Sequence, residues 1–242
     1  MKALHGLAQG KRAGQFMQDH LSLRGVRIPN DPDVITPQVA RSIRAERYEK
    51  DEVTGLPKFI DPEDRVVELG AGIGFISSYL ATQLNVRRVM CIEANPTLCD
   101  FIGRVHAANG IEGVEVLNAV ALADSHELGM STFYIRDPFW SSSLDPKPDY
   151  VQEVSVPERH LSEILGDFDA NVLIVDIEGG EKYLFDGANL ANVDKVYLEV
   201  HTRKIGLRGI KACFDHLSGL GFAYDQRVSS GGSVLFRRVG RR

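Results

Sequence analysis

Four short segments of the 242-residue sequence place reactive or ligand-binding side chains at spacings that chemistry can use. The first is Glu68-Leu69-Gly70-Ala71-Gly72-Ile73-Gly74, where Gly70 and Gly72 let backbone approach a ligand with no Cβ between and Gly74 lets a following helix pack closely. The second is Glu93, 23 residues beyond Gly70, the interval at which a carboxylate accepts hydrogen bonds from ribose hydroxyls. The third and fourth are Asp176-Ile177-Glu178-Gly179-Gly180-Glu181 and Glu199-Val200-His201. Residues two apart on a strand emerge on the same side. Asp176 with Glu178, and Glu199 with His201, would therefore crowd one edge of a pocket, where mutual repulsion raises a carboxyl pKa and makes a usable base.

Glycine spacing and charge choose between ligands. A dinucleotide fingerprint is G-x-G-x-x-G, whose third glycine would stand at position 75, which is Phe75. Glu68, two residues before Gly70, would repel a diphosphate. At about 4 Å and an effective dielectric of about 20, the sign of one charge pair is worth roughly 4 kcal/mol before desolvation. A cationic guest fits better, and S-adenosylmethionine has a sulfonium, an ammonium and no phosphate.

These residues need strand ends and turns to hold them, and from Arg65 onward short aliphatic runs alternate with helical segments, the rhythm of an α/β sheet. Strands are predicted at 65–69, 88–93, 114–117, 172–176 and 195–201, with closing runs at 222–228 and 233–239. Helices are predicted over 75–84, from Asn95-Pro96 to about Ala108, and near 207–217. Two alternating runs, 130–135 and 151–156, flank a Pro/Ser-rich loop, 137–148, that reads as an insertion in which Phe139, Trp140 and Tyr134 could line a substrate slot. Residues 1–60 have weak apolar periodicity and read as a partly helical extension covering the acceptor, with Thr36 as N-cap and Pro37 as first residue of a helix running to Lys50; residues 61–242 form the main domain.

Composition narrows the classes. Hydrophobic residues make up 43% and charged residues 25% of the chain, which excludes collagen, coiled coil and disorder. Lys and Arg number 28 against 33 Asp and Glu, so net charge gives no general attraction to nucleic acid or anionic lipid. Cys91, Cys99 and Cys213 show no C-x-x-C spacing, and Met1 to Gln15 lacks a continuous apolar core, so a reducing, cytoplasmic setting with no leader and no membrane span is expected. Arg203, Lys204, Arg208 and Lys211 could meet an anionic acceptor or form a solvated face.

The segments together resemble the FkbM-type family of class I S-adenosylmethionine-dependent methyltransferases. The likeness is carried by Val66 to Gly74, Ile92-Glu93-Ala94-Asn95-Pro96, Asp176 to Glu181 and Leu198-Glu199-Val200-His201. Asn109-Gly110, Asn118-Ala119-Val120-Ala121-Leu122 and Ser141-Ser142-Ser143-Leu144 fall between them in the family's order. The resemblance implies a Rossmann-like α/β fold: a seven-stranded mixed sheet of order 3-2-1-4-5-7-6, its last strand antiparallel, with helices on both faces. It implies S-adenosylmethionine as cofactor, bound by Glu68, Gly70, Ala71, Gly72, Gly74, Glu93, Ala94, Asn95, Asn118, Ala119 and Asp176. Methyl transfer to a hydroxyl of a small metabolite, sugar or polyketide-like acceptor follows, with Asp176 nearest the sulfonium, Glu178 or His201 taking the proton and Glu181 orienting its loop. Glu178 and Glu181 also read as caps of a helix starting near Gly179, and His201 as a strand-end histidine. Asp176, Glu178, Glu199 and His201 could alternatively hold a divalent cation, although no metal is expected. The partner expected is the small-molecule acceptor, without nucleic acid or membrane, a homodimer being left open. A non-catalytic adenosylmethionine-binding module and a nicotinamide-dependent oxidoreductase are the rival readings.

Overall fold

The computed structural model describes residues 19–240; Met1 to Gln15, expected to carry no leader, lie outside the described residues. In chain order the elements are β1 (His20–Leu23), β2 (Val26–Pro29), α1 (Pro37–Arg44), α2 (Lys50–Gly55), β3 (Arg65–Leu69), α3 (Phe75–Gln83), β4 (Arg88–Glu93), α4 (Pro96–Ala108), β5 (Glu115–Asn118) and β6 (Val120–Leu122). There follow β7 (Met130–Ile135), β8 (Gln152–His160), α5 (Leu161–Phe168), β9 (Val172–Val175), α6 (Glu181–Leu184), β10 (Lys195–Glu199), α7 (Thr202–Gly219), β11 (Phe222–Tyr224) and β12 (Ser233–Arg238).

The main sheet runs β11-β12-β10-β9-β3-β4-β5. Its seven strands, numbered among themselves, have the expected order 3-2-1-4-5-7-6, and β12 is antiparallel to both neighbours. The chain departs from that scheme in carrying five further strands in two small sheets, β1-β2 and β6-β8-β7. Its central strands are apolar on both sides, as parallel strands covered by helices must be. Val66, Val89, Cys91, Val172, Ile174 and Tyr197 pack on one face with α3, α4 and the residues before 61. Val67, Leu69, Ile92, Leu173, Val175, Val196 and Leu198 pack on the other with α5 and α7.

Strand alternation carries this parity to the strand ends. Glu68 follows Val66, Glu93 follows Cys91 and Glu199 follows Tyr197 onto the first face. Asp176 follows Ile174, because its N–H still bonds Leu69 O at 2.9 Å although β9 has ended at Val175. Four carboxylates from four strands thus emerge beneath the N-terminal segment.

That segment is less helical than expected. Leu21, Leu23, Val26 and Ile28 are buried by a hairpin whose two-residue turn, Arg24-Gly25, has positive φ at both positions, the geometry matched to strand twist. Asn109 fixes the hairpin by accepting from Arg27 N at 2.8 Å and donating to Arg27 O at 2.7 Å. Thr36 caps α1 as expected, but the helix ends at Arg44, since burial of Tyr48, edge-on to Phe75 at 5.9 Å, overrides the helical propensity of the residues between. Lys195 ties the segment to β10, donating to Phe59 O at 2.8 Å and pairing with Asp64 at 2.7 Å and Asp61 at 3.1 Å.

Other boundaries moved for identifiable reasons. β8 runs past Pro157 because it leaves β7 there and pairs with β6 from Glu158, a point where no proline N–H is needed. α7 starts at Thr202 and kinks at Gly206, whose φ of 62° and ψ of 179° are non-helical. Among the described residues no helix is long and apolar enough to cross a membrane.

Gly70 has φ +82°, and a Cβ there would sit 1.9 Å from Asp176 O, between the ends of two central strands. Gly70→Ala is expected to cost about 3 kcal/mol or more in urea unfolding. Gly110→Ala, at φ +64° but with open space around the added Cβ, should cost about 1 to 2 kcal/mol. Equal losses would contradict this account of the turn.

Candidate active site

A cavity of about 690 Å³ opens where β3, β4, β5 and β9 end, the crevice at which open α/β sheets bind ligands. Of the residues the sequence offered for the cofactor, Gly70, Gly72, Glu93, Ala94, Asn95, Ala119 and Asp176 lie on its wall. Gly72 N donates to Glu93 Oε2 at 2.9 Å and Asn95 N to Oε1 at 2.8 Å, so strand β4 and the glycine turn are laced by one carboxylate. Burial pushes that carboxyl up to about 7, although the backbone N–H groups of Asn95 and Gly72 favour its charge. Asn118 is behind the wall, its amide donating to Glu93 O at 2.9 Å and Ala94 O at 3.0 Å. Gly74 serves packing: a Cβ there would meet Ile102 at 2.9 Å.

Glu68 lies below the glycine turn rather than on the main wall, in a small annex shared with Ala71, Tyr48, Glu49, Glu52 and Asp176. It is only 4% exposed, with Cys91 Sγ 3.6 Å from Oε2, and burial raises its carboxyl to about 8.

Asp176, Glu178, Glu181, Glu199 and His201 do come together. His201 Nε2 is 3.5 Å from Asp176 Oδ1 and 3.6 Å from Glu178 Oε1, and Nδ1 is 3.3 Å from Glu181 Oε1. Glu181 is fully buried and accepts from His201 N at 3.0 Å and Gly179 N at 2.7 Å, so it fixes both loops. Burial works against a charge on His201. The Glu181 hydrogen bond and the charges of Asp176, Glu178 and Glu199 outweigh it and lift the imidazole to about 9. Burial, then Glu49 and Glu199, drive the Asp176 carboxyl well above the ordinary range, and its Oδ1 has no hydrogen-bond partner among the described residues. Asp176, Glu199 and His201 each offer a ligand atom within 4.8 Å of the others; a metal there would have to displace the proton that His201 holds so firmly.

Two further parts were not legible. Tyr48 and Glu49 reach the cavity from the break between α1 and α2, Glu49 in a left-handed conformation (φ 48°, ψ 36°) that costs a non-glycine residue about 1 kcal/mol or more. Burial raises the Glu49 carboxyl well above its usual range, with Glu52, Glu199 and Glu68 adding to it. A continuous helical pattern gave no signal for either residue. The inserted loop is organised by Arg136, 6% exposed, which donates to Asp149 at 2.8 Å, Ser143 Oγ at 3.1 Å and the carbonyls of Tyr134, Asp145 and Lys147 at 3.3, 2.6 and 3.2 Å. It holds Phe139, Trp140 and Ser141–Ser143 on the cavity wall, whereas Tyr134 does not line the cavity and packs at a tilt against Tyr150, their ring centres 4.9 Å apart. Arg203 and Lys204 line the cavity, Lys204 pairing with Glu178 at 2.6 Å; Arg208 and Lys211 do not line it.

The carboxyls have a pH consequence for the ligand-free protein. Glu68 and Glu93, at about 8 and 7 when folded, hold protons that the unfolded chain has released by pH 6.5, and His201, at about 9, does the same above its ordinary value. The folded state binds more protons, so stability must fall as pH rises from 6.5 to 8. Glu68→Gln is expected to flatten that fall in thermal unfolding; an unchanged slope would place its carboxyl in the ordinary range.

The family model described as Methyltransferase FkbM domain matches residues 68–223. No curated protein matches the sequence. Similar solved structures include M. jannaschii TYW2 in complex with AdoMet, 15% identical, covering 98% of this chain and 90% of that one with a TM-score of 0.49. The ribosomal protein L11 methylase from Lactobacillus delbrueckii subsp. bulgaricus is 13% identical, covering 80% of each chain, with a TM-score of 0.48. A methyltransferase from Pyrococcus furiosus is 14% identical over 90% of this chain and 91% of that one, with a TM-score of 0.45. At such distances the family match alone decides membership. Because it spans more than half of the 242 residues, the chain belongs to the FkbM methyltransferase domain family, whose methyl donor is S-adenosylmethionine.

Proposed function

We propose that the protein is an O-methyltransferase acting on a hydroxyl of a small metabolite, sugar or polyketide-like acceptor. The observation that carries this reading is Asp176 on the wall of the cavity that also holds the glycine turn and Glu93, with its buried Oδ1 facing His201 Nε2 at 3.5 Å but making no hydrogen bond. Glu93 has lone pairs left over after binding Gly72 and Asn95, and these are offered to ribose hydroxyls. Gly72 leaves room for the ligand's approach, Gly70 gives way to the Asp176 carbonyl beside it, and Ala94, Asn95 and Ala119 flank the site. Tyr48 and Glu49 support reading the N-terminal segment as a wall of the site, with Glu49, Glu68 and Asp176 supplying negative charge toward a cation. Three unpaired cysteines suit a reducing compartment.

When bound, S-adenosylmethionine supplies an electrophilic methyl group on a positively charged sulfur. The acceptor hydroxyl must lose its proton during attack, and the candidates differ in their capacity to take it. Glu178 is committed to Lys204 at 2.6 Å, and His201 already carries a proton at neutral pH. Asp176 therefore becomes the base. Asp176 would stay ionised beside a bound cation, and once that positive charge was gone its burial would again favour holding the proton that the hydroxyl gives up. His201 and Glu181 keep Asp176 and Glu178 in position. Positioning can supply about 7 to 11 kcal/mol of the barrier, and the base about 10²- to 10⁴-fold.

Incubation with radiolabelled S-adenosylmethionine and a panel of hydroxylated compounds tests the reading; alkali-stable O-methyl products are expected, and N-methyl products only would contradict it. Asp176→Asn should lower kcat by about 10²-fold or more. Activity kept within a few-fold would remove Asp176 as base. Glu49→Gln should weaken binding of S-adenosylmethionine about tenfold, or about 1.4 kcal/mol, while hardly changing that of S-adenosylhomocysteine, which lacks the sulfonium charge. Equal losses for both would assign Glu49 another role.

A further inference from the structure

We infer that the acceptor carries an oxyanion, a phosphate or carboxylate group, recognised by Lys182 and Arg203 at the outer end of the cavity. This rests on the methyltransferase reading and goes beyond it by naming the acceptor's chemical class. The cavity wall is divided by charge. Its inner part holds Glu49, Glu93 and Asp176, while Lys147, Lys182, Arg203 and Lys204 lie on the part formed by the inserted loop, α6 and the start of α7.

Each carboxylate on that outer part has a cation of its own. Glu178 pairs with Lys204 at 2.6 Å, Asp145 with Lys147 at 2.8 Å and Asp149 with Arg136 at 2.8 Å. Lys182 and Arg203 are left over: no carboxylate of the described residues lies within ion-pair distance of either, and Lys182 Nζ rests 4.5 Å from the centre of the Tyr183 ring. Two unneutralised cations facing a ligand cavity attract an anion, and the guanidinium fork suits a planar or tetrahedral oxyanion. The cofactor's two positive groups gain nothing from them. The acceptor's anionic group at Lys182 and Arg203 would leave its hydroxyl directed inward to Asp176, so one pair of contacts fixes both which molecule enters and which end reacts.

Calorimetric titration of the intact protein saturated with S-adenosylhomocysteine tests this, using glycerol against glycerol 3-phosphate and glucose against glucose 6-phosphate and glucuronate. At least one charged compound should bind on the order of tenfold more tightly than its neutral partner, with affinity falling as salt rises. The phosphate and carboxylate arms show which oxyanion is preferred. In Lys182→Ala/Arg203→Ala, two solvent-accessible replacements, the preference should drop below about twofold while S-adenosylmethionine binds as before. Charged and neutral compounds binding alike in the unaltered protein, or a preference that survives the double substitution, would overturn the inference. So would a tenfold loss of S-adenosylmethionine affinity in the variant, since the two cations would then serve the cofactor's own carboxylate. Failure of S-adenosylhomocysteine to bind at all would instead sink the methyltransferase site, so the two failures are distinct.

Discussion

Negative charge gathered in a poorly hydrated crevice is the constraint on which the rest depends. Glu68, Glu93, Asp176 and Glu199 leave four neighbouring strands on one face, and Glu49 meets them from above. His201 supplies the compensating positive charge on Asp176 and Glu199, and burial raises all five carboxyls. In the ligand-free protein the conflict is relieved by protons. A cation entering the cavity would relieve it in a different way, whereas a diphosphate would deepen it.

The same geometry separates the roles of side chains that look alike. Asp176, Glu178 and Glu181 stand within six residues, yet Glu181 is buried and accepts from His201 N, Glu178 pairs with Lys204, and Asp176 has a buried oxygen that faces His201 without a hydrogen bond. Burial and partners decide function here, not residue type. The imidazole, which sequence reasoning offered beside Glu178 as a base, stands among three acidic neighbours that lift it to about 9.

Much of this was legible. The strands of the main sheet announce themselves as aliphatic runs because both faces are covered, and Asn95-Pro96 and Thr36-Pro37 mark helix starts through local capping chemistry that needs no tertiary context. The glycine turn and Glu93 could be placed because they sit at fixed offsets from a strand end. What escaped was set by long-range packing. The β1-β2 hairpin turns on Arg24-Gly25, a pair without the usual Asn or Asp signal. The helix break that delivers Tyr48 and Glu49 runs through residues that favour helix, and the loop around Arg136 is built from carbonyls that carry no sequence signature. Glu68 was correctly read as acidic and close to the turn, but strand parity turns it beneath the wall, a consequence visible only once the covered face is known.

The central claim, that a cation displaces protons from clustered carboxyls, is tested most directly by calorimetry of S-adenosylmethionine binding at pH 7 in two buffers of different ionisation enthalpy. The account predicts release of a substantial fraction of a proton, up to about one, on binding, and clearly less with S-adenosylhomocysteine, which has no sulfonium charge. Identical proton release for the two ligands, or proton uptake with the sulfonium compound, would contradict it.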